Sequence, residues 1–143
     1  MTDYDTDFYA WTQAQAAALR AKDVAALDLE HLAEEIESLG KRDRRAVESY
    51  CEVIVLHLLK WVYQPTRRTP SWRTSVRNAR NRLEKILRDS ETLRHHAAGE
   101  LAACYRRAYA GATDETGLPL ETFPEACPWT ITQVLDADFW PEG

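Results

Sequence analysis

His31, Glu34, Glu35 and His57 make the one metal-like set of side chains that the spacing in this sequence offers. His31 and Glu35 are one helical turn apart, as helix-borne ligands often are, and metal sites in bundles draw on facing helices. The set is incomplete. The E-x-x-H pairs of di-iron bundles are absent, and so are the H-E-x-x-H and H-x-x-E-H helices of zinc proteases. On a helical wheel His31 points away from the apolar positions around it. The spacing therefore predicts no metal and no cofactor. It leaves a solvated acidic face, with His57 hydrogen-bonded at the edge of a core.

Two further groups have chemical possibilities. Glu35, Lys60 and Arg73, with His57, Trp61 and Trp72 beside them, could line a pocket for a small anion or a carboxylate. The same residues could equally form an ion-pair network that orients three helices, and this second reading is the stronger one. Arg67, Arg68, Arg73, Arg77, Arg80 and Arg88 make a basic ridge with Trp72 next to it, the pattern of a phosphate-gripping surface. Against a nucleic-acid role, Glu84 interrupts the ridge, the whole chain carries a net charge of −5, and no recognition fold accompanies the patch. No nucleophile elbow, glycine-rich phosphate loop or C-x-x-C occurs, so no catalytic residue is assigned. His95 and His96 diverge by ~100° on a helix and read as exposed.

The charge is segregated. Residues 1–59 hold 12 acids and 6 bases, residues 60–94 hold 10 bases and 3 acids, and residues 95–143 hold 8 acids and 2 bases. Such blocks suit electrostatic selection of a protein partner, and they also allow the basic block to be matched internally.

These residues have to be positioned by helices. Glycine is scarce, with 5 in 143 residues, and no strand alternation is present. A first helix is expected from about Asp5 to Lys22. A second opens near Asp28, with Leu29, Leu32, Ile36 and Leu39 as its apolar seam and Glu30, Glu34 and Glu37 opposite. Gly40 fits the residue after a helix, so a break is expected there. A third helix carries Val47, Tyr50, Cys51, Ile54, Leu58 and Trp61 and is apolar nearly all round, the mark of a buried helix. It contains His57 and Lys60 and is too short to cross a membrane, which takes ~20 apolar residues.

After two prolines, Ser71 is expected to cap a helix bearing Trp72, Val76, Ala79, Leu83 and Leu87. Ser90 is expected to cap the next, which ends by Gly111. In the tail, Thr130 and Gln133 have the spacing of a capping box, and Phe139 with Trp140 suggests a docked end. The expectation is one all-α domain over residues 1–143, a bundle of four to five main helices with a docked C-terminal loop and short helix. Three cysteines, Cys51, Cys104 and Cys127, cannot all pair and read as reduced. With an N-terminus that lacks an apolar signal segment, this points to a cytoplasmic protein.

The blocks DFYAW, LDLEHLAEEIESLG, HLLKW, SWRTSVRNAR, TFPEACPW and LDADFWP resemble a bacterial family catalogued as "domain of unknown function 29". The resemblance runs from Tyr4 to Pro141 and is most specific in LAEEIESLG and HLLKW. It implies a small stand-alone helical protein and carries no activity with it. The functional expectation is a non-enzymatic module that binds another protein. The alternatives are a metal-binding or enzymatic bundle using His31, Glu35 and His57, and a nucleic-acid binder using the Arg67–Arg88 ridge.

Overall fold

The computed structural model describes residues 3–142, and every long element among them is a helix. In chain order these are α1 (Phe8–Ala21), α2 (Leu29–Tyr63), α3 (Pro70–Leu87), α4 (Glu91–Thr116) and the short α5 (Ile131–Leu135). Single 3-10 turns precede α2, α3 and α5. The all-α expectation holds. Met1, Thr2 and Gly143, which the sequence-level domain of 1–143 includes, lie outside the described residues. The described residues divide into two compact units, with the boundary between Arg42 and Asp43, inside α2.

The unit from Asp43 onward has the core. From α2 it takes Val47, Cys51, Ile54, Val55, Leu58 and Leu59, and from α3 Val76, Ala79, Leu83 and Leu87. Ala97, Cys104, Tyr105, Ala108 and Ala112 come from α4, and Phe123 and Val134 from the tail. Small residues, Ala97, Cys104, Ala108 and Ala112, make up most of what α4 contributes to this core. The tail docks as expected. Phe123 meets Tyr63 edge-on at 5.3 Å, the Tyr105 hydroxyl donates to the Pro124 carbonyl, and Trp140 lies 4.6 Å from Trp61. The Thr130–Gln133 capping box is formed in both directions.

The unit up to Arg42 has a different construction. Only Trp11, Gln15 and Ala18 of α1 are buried in it. Asp7 caps α1 by accepting from the Ala10 amide, so this helix starts later than the expected Asp5.

Three expected boundaries are corrected. The break at Gly40 does not occur, and α2 runs unbroken through it. A glycine in a helix interior costs only ~1 kcal/mol relative to alanine, and the following Lys41–Arg45 stretch is made mostly of good helix formers. The N-cap of α3 is Thr69, not Ser71: its hydroxyl accepts from the Trp72 amide, and Pro70 takes the first helical position, where its missing N–H is harmless. Helix α4 passes Gly111 and stops at Gly117, whose φ of 72° is the left-handed conformation that ends a helix.

Candidate functional site

The structure sorts the candidate residues into separate groups. In the N-terminal unit, α1 is fastened to the start of α2 through Asp28. The Trp11 indole donates to Asp28 Oδ2 at 3.1 Å, and the Asp28 amide donates to Gln15 Oε1 at 2.7 Å. Gln15 Nε2 in turn donates to the Ala26 carbonyl at 3.2 Å. His31 Nδ1 also donates to Asp28 Oδ2, at 2.7 Å, and its ring stacks on Tyr4 with centroids 4.0 Å apart. The Tyr4 hydroxyl donates to Glu35 Oε1, and this bond pushes the Tyr4 pKa up to about 12. The His31 hydrogen bond raises the imidazole above its ordinary 6.5 and holds the Asp28 carboxyl below its ordinary 3.8. His31 and Glu35 are thus engaged in an aromatic hydrogen-bonded cluster.

His57 is elsewhere. Glu35 belongs to the unit up to Arg42, and His57, Lys60 and Arg73 belong to the unit from Asp43 onward. The metal set of His31, Glu35 and His57, and the pocket of Glu35 with Lys60 and Arg73, each draw on residues of both units. His57 donates through Nδ1 to the Val53 carbonyl at 2.8 Å, and burial pulls its pKa below 6.5. Lys60 pairs with Glu115 of α4 at 3.4 Å and sits 4.8 Å over the Trp72 ring of α3, so one ammonium ties three helices.

The basic ridge is built as an alternating stack. The Arg68 and Arg73 guanidiniums flank Trp61 at 4.5 and 4.7 Å, and Arg73 and Arg80 flank Trp140 at 5.0 and 5.6 Å. Arg80 is only 4% exposed and donates through Nε to the Val134 carbonyl at 2.9 Å. Arg68 Nε donates to the Trp61 carbonyl at 2.8 Å. Among the described residues, Arg88 is the ridge member that forms an ion pair, with Glu84 at 3.6 Å. The internal partners of the ridge are chiefly aromatic rings and carbonyls, not the acids that the charge blocks suggested. Arg73, Arg77, Arg80, Asn81, Asp138 and Trp140 border a cleft of about 530 Å³.

Sequence reasoning missed one constellation. His96, read as exposed, is half-buried and meets Glu48 of α2 at 2.9 Å, with Glu100 one turn further along α4. The legible signal was His96 and Glu100 at i, i+4, on the helix face that also carries the core residue Cys104.

The apolar seam of α2 has also come out differently. Leu29, Ile36 and Leu39 are 63%, 68% and 56% exposed, and Leu32 is half-buried. The four lie within ~80° of one another on the helix, with Glu30, Glu34 and Glu37 along one border and Glu35 along the other.

The fold and these groups define a small all-α helical-bundle protein, and no described helix is long and apolar enough to cross a membrane. The chain belongs to the family described as Domain of unknown function DUF29, whose model matches residues 4–140. No curated protein and no solved structure matches it.

Proposed function

We propose that this protein is a non-enzymatic module that binds another protein, and that the bound element is a basic amphipathic helix seated on the first half of α2. The observation that carries this reading is the exposed stripe of Leu29, Ile36 and Leu39. Large apolar side chains aligned on one helix face and rimmed by charge are the form of a helix-docking surface. The sign of the partner follows from the rim. Residues 1–42 hold 9 acids and 4 bases, so a cationic partner is favoured, and a second copy of the same acidic face is disfavoured by like charge. The three free cysteines suit work in the cytoplasm.

The experiment uses the whole protein and fluorescently labelled synthetic helices. One probe has a leucine seam rimmed by lysine, and the other has the same seam rimmed by glutamate. Anisotropy should show binding of the lysine peptide, loss of it in Leu29→Ser/Ile36→Ser, and none of the glutamate peptide. Light scattering should show a monomer. Equal binding by the double variant, or a dimer that the double variant dissolves, would overturn the reading.

A second reading, nucleic acid at the arginine stack, draws on the cleft that Arg73 and Arg77 border beside Trp140. Such binding would weaken steeply with salt and would be lost in Arg73→Gln/Arg77→Gln.

A further inference from the structure

In the unit from Asp43 onward, α2 and α4 bring together three side chains that can share a cation, Glu48, His96 and Glu100. We propose that Glu48, His96 and Glu100 form a site for one first-row divalent transition metal ion, of the kind Zn²⁺ represents.

The geometry starts from the helices. His96 and Glu100 are four residues apart on α4, so their side chains rise from the same face one turn apart. Glu48 projects toward them from α2. One ligand atom from each of the three lies within 4.8 Å of the others, and His96 Nε2 is 2.9 Å from Glu48 Oε1. Ligands on a tetrahedral ion with ~2.0–2.1 Å bonds sit ~3.3 Å apart. The Glu48–His96 pair, at 2.9 Å, is a hydrogen bond a few tenths of an ångström shorter than that spacing, and a bound ion would take its place. The third ligand atom lies within 4.8 Å of the other two, and the flexible Glu stems are what would close that gap.

Charge gives the second reason. Two carboxylates and one imidazole converge where His96 and Glu48 side chains are only 14% and 29% exposed. Arg107, on the same stripe of α4, is occupied by Glu52 at 3.0 Å and by Cys104 Sγ at 3.4 Å. Among the described residues, Glu100 has no ion-pair partner, so the negative charge of the trio is left for a cation to neutralise. The donor set narrows the choice of ion. An imidazole nitrogen with two carboxylate oxygens is a borderline set that suits zinc, manganese, iron or cobalt rather than calcium. Three protein ligands leave a further position for water or for a partner's side chain.

The test uses tag-free whole protein freed of metal by chelator. Zn²⁺ is titrated in competition with a chromophoric chelator, and Co²⁺ is followed by its visible absorption. A single equivalent should bind at about micromolar or tighter, with a rise in melting temperature. His96→Gln and Glu100→Gln should lose that step, while His95→Gln, at the exposed neighbouring position, should keep it. Circular dichroism reports whether each variant folds. Independently of any variant, Mn²⁺ added to the isotope-labelled wild-type chain should broaden amide signals around Glu48 and residues 96–100 before any others. No saturable equivalent in the wild type, or broadening centred on His31 or His57, would overturn the proposal.

Discussion

Helix α2 is one continuous element with two surroundings. In its second half Leu58 and Leu59 are completely buried, and in its first half Ile36 is 68% exposed. The second half is held by apolar packing against α3, α4 and the tail. The first half is tied to α1 by a small hydrogen-bonded and aromatic cluster around Asp28, while its apolar seam stays open. The difference teaches that apolar spacing marks a face to be covered without saying what covers it. One half is packed into the core, and the other leaves its apolar seam exposed.

The largest expected effect tests the packed half. Leu58→Ala should destabilise by ~2–5 kcal/mol, the sum of lost burial and the cavity left behind. Ile36→Ala, at the open seam, should stay within ~0.5 kcal/mol. Urea melts of the two variants measure the contrast directly. Equal losses would erase the distinction between the halves.

Next is the docked tail. Arg80→Met keeps an apolar stem but removes the donor to the Val134 carbonyl, which leaves a buried acceptor without its partner. The expected loss is ~1–3 kcal/mol, accompanied by a change in the fluorescence of Trp140, whose ring Arg80 faces. A neutral result would mean that the tail is held by its aromatic contacts alone.

Smaller and opposite in sign is Gly40→Ala. An added Cβ there meets nothing within 4 Å. The substitution should stabilise by ~0.8–1 kcal/mol through helix propensity. Destabilisation in thermal melts would instead place Gly40 in a left-handed cap and divide α2 into two helices.

The subtlest comparison is between two histidines of the same helix. His31, hydrogen-bonded to Asp28, should titrate above 6.5 by nuclear magnetic resonance, and His57, half-buried near Lys60, below it. The signs for stability differ accordingly. The His31 contribution is present below pH 6.5 and fades as pH rises through its folded-state value. His57 costs stability as pH falls below 6.5, because the unfolded chain then binds the proton more readily. Asp28, held below 3.8, adds a contribution that is lost only in stronger acid. Coincident titrations would show that the two ends of α2 share one environment.

Much of this was readable from residue order. The helical class, the buried stripe from Val47 to Trp61, the Ser90 cap and the Thr130–Gln133 box all follow from spacing along one element. Spacing also reported Leu29, Leu32, Ile36 and Leu39 as a seam. It could not report that the seam is open, because burial depends on what another segment brings. Gly40 and Gly111 show the same limit: a glycine permits a helix end, and the backbone dihedral decides whether one occurs. Only tertiary structure replaced the expected acidic partners of the arginines with Trp61 and Trp140, since Trp140 arrives from the far end of the chain. Only tertiary structure set Glu48 beside His96 and Glu100 as well. Their meeting depends on the rotational phase of α2 against α4, which is fixed by the packing of Val47, Cys51, Cys104 and Ala108, and neither helix encodes it alone.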